Sequence, residues 1–496
     1  MSCILVLNGL FATPYLRKKM TNEKDSLEIL LEKIIKFSNI EKRIFIANNK
    51  EIELPSNLET ILIPDARFVS FLQAIKKISA DYENIVHIFA DTPFIDHELC
   101  EKLIRLHMDE MADYTYAEGF VGGVACEVMK SDMPEKLLSL IKNEKAVIKR
   151  NSIFETICKD INSFDIETII AEEDQSLLRL FLCTEKKRDY TLLKKIFESN
   201  AESFNAGEMG NFLRSNIGLT RTLPVFFQME ITTHCQLSCP FCPRTKVKPE
   251  PLHMPFKSYQ LICKKIKDFC DDAVILFSGL GEPTLNPDFL QFLKCNQEHN
   301  FTSIVETNGL TCTDFLYSEI SKLQYAGLYF VFSIDSLDGK IFQSLRTEKA
   351  GFQSIYQNYL NFHEKLPDTT YVQAVRMQEN EDVLPDFFRT LKKETENIII
   401  KKYNTFAGFL PEKKVANITP LERFPCWHLK RDLAIQVNGN VSLCFVDLNN
   451  TNSIGNILDD PLEILWEKIG FFYDEHCQDK YSGICKNCDE FYTYNF

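Results

Sequence analysis

Three cysteines, Cys235, Cys239 and Cys242, lie in the run Glu-Ile-Thr-Thr-His-Cys-Gln-Leu-Ser-Cys-Pro-Phe-Cys-Pro-Arg. An apolar run, Pro224 to Ile231, leads straight into them. A strand followed by a C-x3-C-x2-C loop gathers three thiolates in one small volume. Three thiolates can hold three irons of a cubane cluster and leave the fourth iron open to a small molecule, whereas an electron-transfer cluster takes four cysteines. The spacing therefore predicts chemistry at an open iron. The competing zinc knuckle needs a fourth ligand, and His234, the candidate, adjoins Cys235 in a poor geometry for two ligands on one metal.

A second set lies near the C-terminus. Cys426, Gly439 and Cys444 follow C-x12-G-x4-C, and Cys485-Lys-Asn-Cys488 closes the set. Four thiolates complete a fully ligated cluster site, although a four-cysteine zinc ribbon fits the same spacing. Cys477 is left over and could replace one of the four. The other nine of the 17 cysteines, Cys3, Cys100, Cys126, Cys158, Cys183, Cys263, Cys270, Cys295 and Cys312, are scattered singly on apolar segments. Free cysteine packs as a small hydrophobe, so these are expected in cores.

The elements that must position these thiols are legible as an α/β pattern. From Pro224 to about Asn404, strand-like runs recur at Val225–Ile231, Ala273–Phe277, Ser303–Glu306, Leu328–Ile334, Tyr371–Met377 and Asn397–Lys401, separated by helical patterns such as Tyr259–Phe269 and Pro287–Asn300. Six such units predict a six-stranded partial (β/α) barrel, whose active site would lie at the C-terminal strand ends. The first strand ends in the cysteine loop, and the next three end in Ser278-Gly-Leu-Gly-Glu-Pro, Glu306-Thr-Asn-Gly and Ser333-Ile-Asp-Ser. Upstream, Ile4–Leu7, Arg43–Ala47, Thr60–Ile63 and Ile85–Phe89 read as strands of another, mostly parallel sheet. The polar stretch Ser199–Asn216, with Gly207 and Gly210, reads as a connector. Downstream, Leu433–Val437 and Val441–Phe445 flank Asn438-Gly439, a hairpin signal that puts Cys444 on the second strand; a helical run, Pro461–Phe471, follows. Four segments result: 1–200, a connector at 201–220, the barrel at 221–410 and a small cysteine-rich extension at 411–496.

The chain has 496 residues, 45% apolar and 25% charged, with net charge −14. That balance argues against a nucleic-acid partner held by phosphate contacts. No run approaches about 18 uninterrupted apolar residues, the length of a membrane span. The start is apolar but lacks the basic segment of a signal peptide. A cytoplasmic protein, without structural disulfides, is expected.

The C-x3-C-x2-C loop, the Gly-Glu-Pro strand end and the six-unit barrel resemble the radical S-adenosylmethionine superfamily over Pro224 to about Asn404, and Phe241 fills the aromatic place before the third cysteine. The resemblance implies a [4Fe-4S] cluster on Cys235, Cys239 and Cys242, with S-adenosylmethionine at its open iron. Reductive cleavage to a 5′-deoxyadenosyl radical and hydrogen abstraction from a substrate would follow, with an electron donor such as flavodoxin or ferredoxin. It places Ser278, Gly279, Leu280, Gly281 and Glu282 at the cofactor's amino group, Ser333 and Asp335 at its ribose, Arg346 at its carboxylate and Phe241 by its adenine. The plain alternatives are a strand-to-helix turn for the glycines, a helix cap for Asp335, a solvated arginine and a core aromatic. The C-terminal set, with Ile454-Gly-Asn-Ile and Leu465-Trp466, is similar to the SPASM or shortened twitch extension, implying one auxiliary [4Fe-4S] cluster on Cys426, Cys444, Cys485 and Cys488.

The first 200 residues resemble the nucleotidyltransferase-like fold of cytidylyltransferases. Phe89-Ala-Asp-Thr-Pro-Phe-Ile matches a strand end carrying a metal aspartate, Asp91. The glycine-rich loop is reduced to Asn8-Gly9-Leu10, and Cys183 or Thr184 stands where the second acidic ligand is expected, so a degenerate binding module is implied. The three-part order most resembles a spirochaete family called spiro-SPASM, to which no activity attaches. The expected function is radical chemistry on a small-molecule or peptide substrate, either a peptide modification or oxidation of a sugar-like alcohol. The competing reading is a non-catalytic iron–sulfur or zinc protein that binds a nucleotide-sugar or a protein partner.

Overall fold

The computed structural model describes residues 2–21, 23–48, 58–201, 203–347 and 351–493. The chain divides into two units, Met1–Thr222 and Leu223–Phe496. Among the described residues no helix is long and apolar enough to cross a membrane.

The first unit is built on a seven-stranded sheet of β1 (Cys3–Asn8), β2 (Ile40–Ala47), β3 (Glu59–Leu62), β4 (Asn84–Phe89), β5 (Tyr114–Glu118), β6 (Glu127–Lys130) and β7 (Ile166–Ile170). Their order is β3-β2-β1-β4-β6-β5-β7. β1 to β4 are parallel, and β6 runs antiparallel between β4 and β5. Every residue of β1 is buried, because helices cover both faces of a parallel sheet. The stretch expected as a connector is instead largely helical. Ala206–Ser215 forms a helix, capped by Asn205 and Glu208, that packs Ala206, Met209 and Leu213 into this unit's core; residue 202 lies outside the described residues. Eight of the nine solitary cysteines are buried as expected, but Cys158 is exposed. It opens a short 3-10 helix whose side chains face solvent.

The second unit contains the six expected strands, β8 (Phe226–Met229), β9 (Val274–Phe277), β10 (Thr302–Thr307), β11 (Leu328–Ser333), β12 (Thr370–Arg376) and β13 (Ile398–Lys402), parallel and side by side in chain order. The helices between them bury one stripe each. In Phe256–Phe269 the buried residues are Tyr259, Ile262, Cys263 and Ile266, spaced three and four apart. Tyr259 stacks on Phe292 of the next helix at 4.2 Å and donates its hydroxyl to Asn296 at 2.6 Å.

The extension continues this sheet. β14 (Asp432–Ile435) pairs parallel with β8, and β15 (Asn440–Ser442) and β16 (Gly455–Asn456) follow antiparallel. Gly439 turns the hairpin at φ +85°, a backbone conformation that favours glycine. β15 ends at Ser442, so Cys444 sits in the turn beyond the strand rather than on it.

His107 links the sheet of the first unit to the helix His97–Glu110. It is 1% exposed, accepts from the Thr115 hydroxyl at 2.9 Å and donates to Asn84 Oδ1 at 3.1 Å. Burial, with Lys130 nearby, lowers its pKa from 6.5 to about 4. Folding therefore excludes a proton that the unfolded chain takes up below pH 6.5, and stability falls as pH drops toward 4. Denaturant titrations at pH 7 and pH 4.5 should differ by about 2–3 kcal/mol from this group, and His107→Gln should remove that difference.

Candidate active site

The thiol loop starts where β8 stops, and the neighbouring strand end is pressed against it. A Cβ on Gly281 would lie 2.1 Å from the Thr232 carbonyl oxygen and 2.9 Å from that of His234, so no larger residue fits. Glu282 N–H donates to the His234 carbonyl at 2.7 Å. The Glu282 carboxylate is 3% exposed and accepts from Thr284 Oγ1 (2.7 Å), Thr307 Oγ1 (2.8 Å) and Asn308 N (2.8 Å). Asn308 Nδ2 in turn lies 3.9 Å from Cys235 Sγ. Glu282 thus joins the ends of β9 and β10 to the loop. Gly279, at φ +152°, leaves room for Glu230, which accepts from Leu280 N at 2.7 Å and faces Val437 N at 3.4 Å. Sequence reasoning passed over Glu230, although a carboxylate at a strand end two residues beyond Gln228 was a visible signal.

On the other side, Arg346 and Asp335 form a buried pair. Nε and Nη2 of Arg346 both lie 2.6 Å from Asp335 Oδ2. Asp335 is fully buried at φ +64°, and its Oδ1 accepts from Val375 N at 2.8 Å. The capping role belongs to Asp338, which receives Lys340 N and Ile341 N. The Arg346 guanidinium stands 5.3 Å from the centre of the Phe241 ring, and its carbonyl is 3.8 Å from Cys239 Sγ. Burial alone would lower its pKa, but the Asp335 carboxylate holds it above the usual arginine value.

Register shows what faces the barrel interior. Phe226, Leu276, Ile304 and Val331, with Val274, Tyr329, Tyr371 and Ile399, form one apolar layer. Two residues further along each strand, on the same face, stand Gln228, Ser278, Glu306, Ser333, Gln373 and Lys401. Five of them are bonded in two sets: Ser278 Oγ donates to Glu306 Oε2 (2.6 Å) and Lys401 Nζ to Glu306 Oε1 (3.1 Å), while Gln373 Nε2 donates to Ser333 Oγ (3.4 Å). Lys401 keeps 43% of its side chain accessible. Burial opposes ionisation of Glu306, but Lys401 and Ser278 outweigh it and hold the carboxyl below its ordinary range.

The second cysteine set lines one small pocket. Cys426, Cys444, Cys485 and Cys488 all face it, walled by Leu429, Val446 and Phe491, whereas Cys477 is not among its lining residues. Glu490 N–H donates to Cys488 Sγ at 3.4 Å, and Arg423 Nη2 to the Cys485 carbonyl at 2.5 Å. Lys402 of β13 reaches Asp489 at 2.9 Å and Glu490 at 2.5 Å, tying the cavity rim to the barrel.

Burial pushes all seven thiols above their ordinary pKa, Cys242 and Cys488 to about 11. Metal ligation would have to displace those protons. Among the described residues, the group of three or more His, Cys, Asp or Glu whose donor atoms all lie within 4.8 Å is Asp91, Cys183 and Glu185 of the first unit. Neither cysteine set is that compact.

Residues 229–391 match the Radical SAM superfamily, and residues 426–489 match the SPASM iron–sulfur cluster-binding domain. An uncharacterized protein of Treponema pallidum (strain Nichols) is 31% identical over 360 residues, 69% of this chain and 98% of that protein. A tungsten-containing aldehyde ferredoxin oxidoreductase cofactor-modifying protein of Pyrococcus furiosus is 27% identical over 34% of this chain. The sporulation killing factor maturation protein SkfB of Bacillus subtilis (strain 168) is 29% identical over 36% of it. The matches span 48% and 42% of these last two proteins. The chain belongs to the radical S-adenosylmethionine superfamily, among its members with a SPASM extension, and is an enzyme of that class. Its cofactors are S-adenosylmethionine, a [4Fe-4S] cluster and auxiliary iron–sulfur ligation in the extension; together these supply radical chemistry initiated from S-adenosylmethionine.

Removing Asp335 would strand the Arg346 charge in the interior. Asp335→Ala is expected to destabilise the second unit by about 3–5 kcal/mol, measured by denaturant unfolding, whereas exposed Asp386→Ala should change stability by no more than about 0.5 kcal/mol.

Proposed function

We propose that Cys235, Cys239 and Cys242 hold the cluster that works with S-adenosylmethionine, that Cys426, Cys444, Cys485 and Cys488 hold one auxiliary [4Fe-4S] cluster, and that the hydrogen donor is a polar substrate seated on the inner polar layer of the barrel. The observation that carries the substrate reading is the ring of Gln228, Ser278, Glu306, Ser333, Gln373 and Lys401 above the apolar layer. Ser278, Glu306 and Lys401 offer donor, anion and cation within one bonded set. Such a surface suits hydroxyl, amino or amide groups better than an alkyl chain, because an apolar ligand would displace water from these polar groups without replacing its hydrogen bonds.

In this reading Arg346, held rigid by Asp335, presents positive charge beside the thiol loop, where the cofactor carboxylate would be met. Phe241 covers the guanidinium and gives an aromatic face for the adenine. Gly279 and Gly281 let backbone approach closely, while Glu282 serves as the brace that keeps their turn in place. Ser333, partly buried at the end of β11, is the group left for the ribose, since the Asp335 oxygens are engaged by Arg346 and Val375. The four-cysteine cavity, which Cys477 does not line, supports the ligand set proposed for the auxiliary cluster.

Two substrate classes meet the polar layer: a sugar-like alcohol and a peptide presenting a polar side chain. The name of the SkfB relative, a killing factor maturation protein, favours the second. The mixture of charge and hydroxyl in the inner layer is compatible with either.

Anaerobic reconstitution tests the cluster assignment. The wild type should bind about eight irons per chain and release 5′-deoxyadenosine on reduction with S-adenosylmethionine. Cys235→Ala should keep about four irons and lose that release, Cys488→Ala should lose the auxiliary signal, and Cys477→Ala should keep both clusters. Zinc in place of iron, or iron without cofactor cleavage, would sink the proposal. Loss of both clusters in Cys235→Ala would indicate a folding role instead.

A further inference from the structure

The nucleotidyltransferase-like sheet of the first unit implies a divalent metal at the strand-end aspartate, Asp91. The residues around Asp91 do not fit one. The Arg150 guanidinium occupies the space between the acidic groups: Nη1 and Nη2 reach Asp91 at 3.1 and 2.6 Å, and Nε and Nη2 reach Glu185 Oε2 at 3.2 and 2.9 Å. Asp91 is 1% exposed, and its carboxylate and that of Glu185 come within 4.8 Å of each other and of Cys183 Sγ. The sequence places Cys183 or Thr184 where the second acidic ligand is expected; the structure brings the Glu185 carboxylate to Asp91 beside Cys183.

Arg150 is also boxed in. Its guanidinium carbon stands 4.5 Å from the ring centre of Phe11, 5.0 Å from Phe89 and 4.5 Å from Phe181. A delocalised cation with aromatic faces above it and two carboxylates at its edge has its bonding directions engaged. Lys186 Nζ lies 3.3 Å from Glu185, so two cations balance two carboxylates. The turn that would cradle a phosphate is spent as well. Gly9 N donates to the Ile46 carbonyl (2.8 Å), Leu10 N donates to Asn8 Oδ1 (3.1 Å), and a Cβ at Gly9 would strike the Phe45 ring.

We infer that Arg150 is a built-in cation standing in the metal position of the first unit, so that this unit folds without a divalent ion and does not perform metal-assisted nucleotidyl transfer. Arg150 joins the loop after β1, the end of β4 and the segment 181–185, the parts a catalytic ion would otherwise bridge. The acidic pair keeps metal-ligand spacing, and removing the arginine re-creates a cation site.

Mn²⁺ is the probe, because it prefers oxygen donors and leaves the thiol sites alone. Equilibrium dialysis of the full-length reconstituted protein should show no Mn²⁺ retained at this site by the wild type, and chelator should leave its melting temperature unchanged. Arg150→Ala should retain about one Mn²⁺ per chain, melt at lower temperature without it and recover on its addition. Arg150→Ala that folds only when Mn²⁺ is present supports the inference equally. Three results would overturn it: wild-type Mn²⁺ binding that Asp91→Asn abolishes, a folded Arg150→Ala that retains none, and an Arg150→Ala that stays unfolded with Mn²⁺ present.

Discussion

One buried carboxylate holds the reactive end of the barrel together. Glu282 cannot be ionised in a dry interior unless its donors are in place, and those donors come from the end of β10 and from its own turn. Its backbone N–H is given to the segment that enters the thiol loop. The turn, the strand end and the loop therefore assemble together or not at all. Gly281 is the steric counterpart, since the close approach that places Glu282 leaves no room for a side chain one residue earlier. The Asp335–Arg346 pair imposes a similar condition from the side of β11 and β12.

Much of this was legible in the sequence. All six barrel strands were visible because each is an apolar run ending in a polar or glycine-rich turn, and Leu328–Ser333 and Thr370–Arg376 fall within a residue of their expected bounds. The inner polar layer follows from the same strands by a step of two from an apolar residue, as from Leu276 to Ser278 and from Ile399 to Lys401. Features that depend on distant pairing were hidden. Nothing local in Asp432–Ile435 says that it lies beside Phe226–Met229, and nothing near Asp91 says that Arg150, 59 residues away, occupies its site. The helix Ala206–Ser215 was misread because its two glycines and polar face masked a narrow apolar stripe, Ala206, Met209 and Leu213.

The two cysteine sets differ in how they are enclosed. The loop of Cys235, Cys239 and Cys242 is braced by polar groups from neighbouring strand ends. The pocket of Cys426, Cys444, Cys485 and Cys488 is walled by aliphatic and aromatic side chains, with Arg423 and the Lys402–Asp489–Glu490 set at its rim. Burial among apolar walls excludes water and tunes a cluster's potential. Cys477 lies instead at the end of the helix Leu462–His476, where the charge of Lys430 is felt.

The pairing of β14 with β8 makes the extension part of the architecture of the barrel rather than an appendage to it. β8 carries the thiol loop at its end, and without β14 it would be the bare first edge of a parallel sheet. An open row of strand amides and carbonyls is a template for pairing with another chain. The extension thus closes the first edge of the barrel sheet, and β8 lacks this partner until residue 435 has been made. Divergence of the two halves by recombination is correspondingly constrained, because any exchanged extension must supply a strand in this register as well as its thiols.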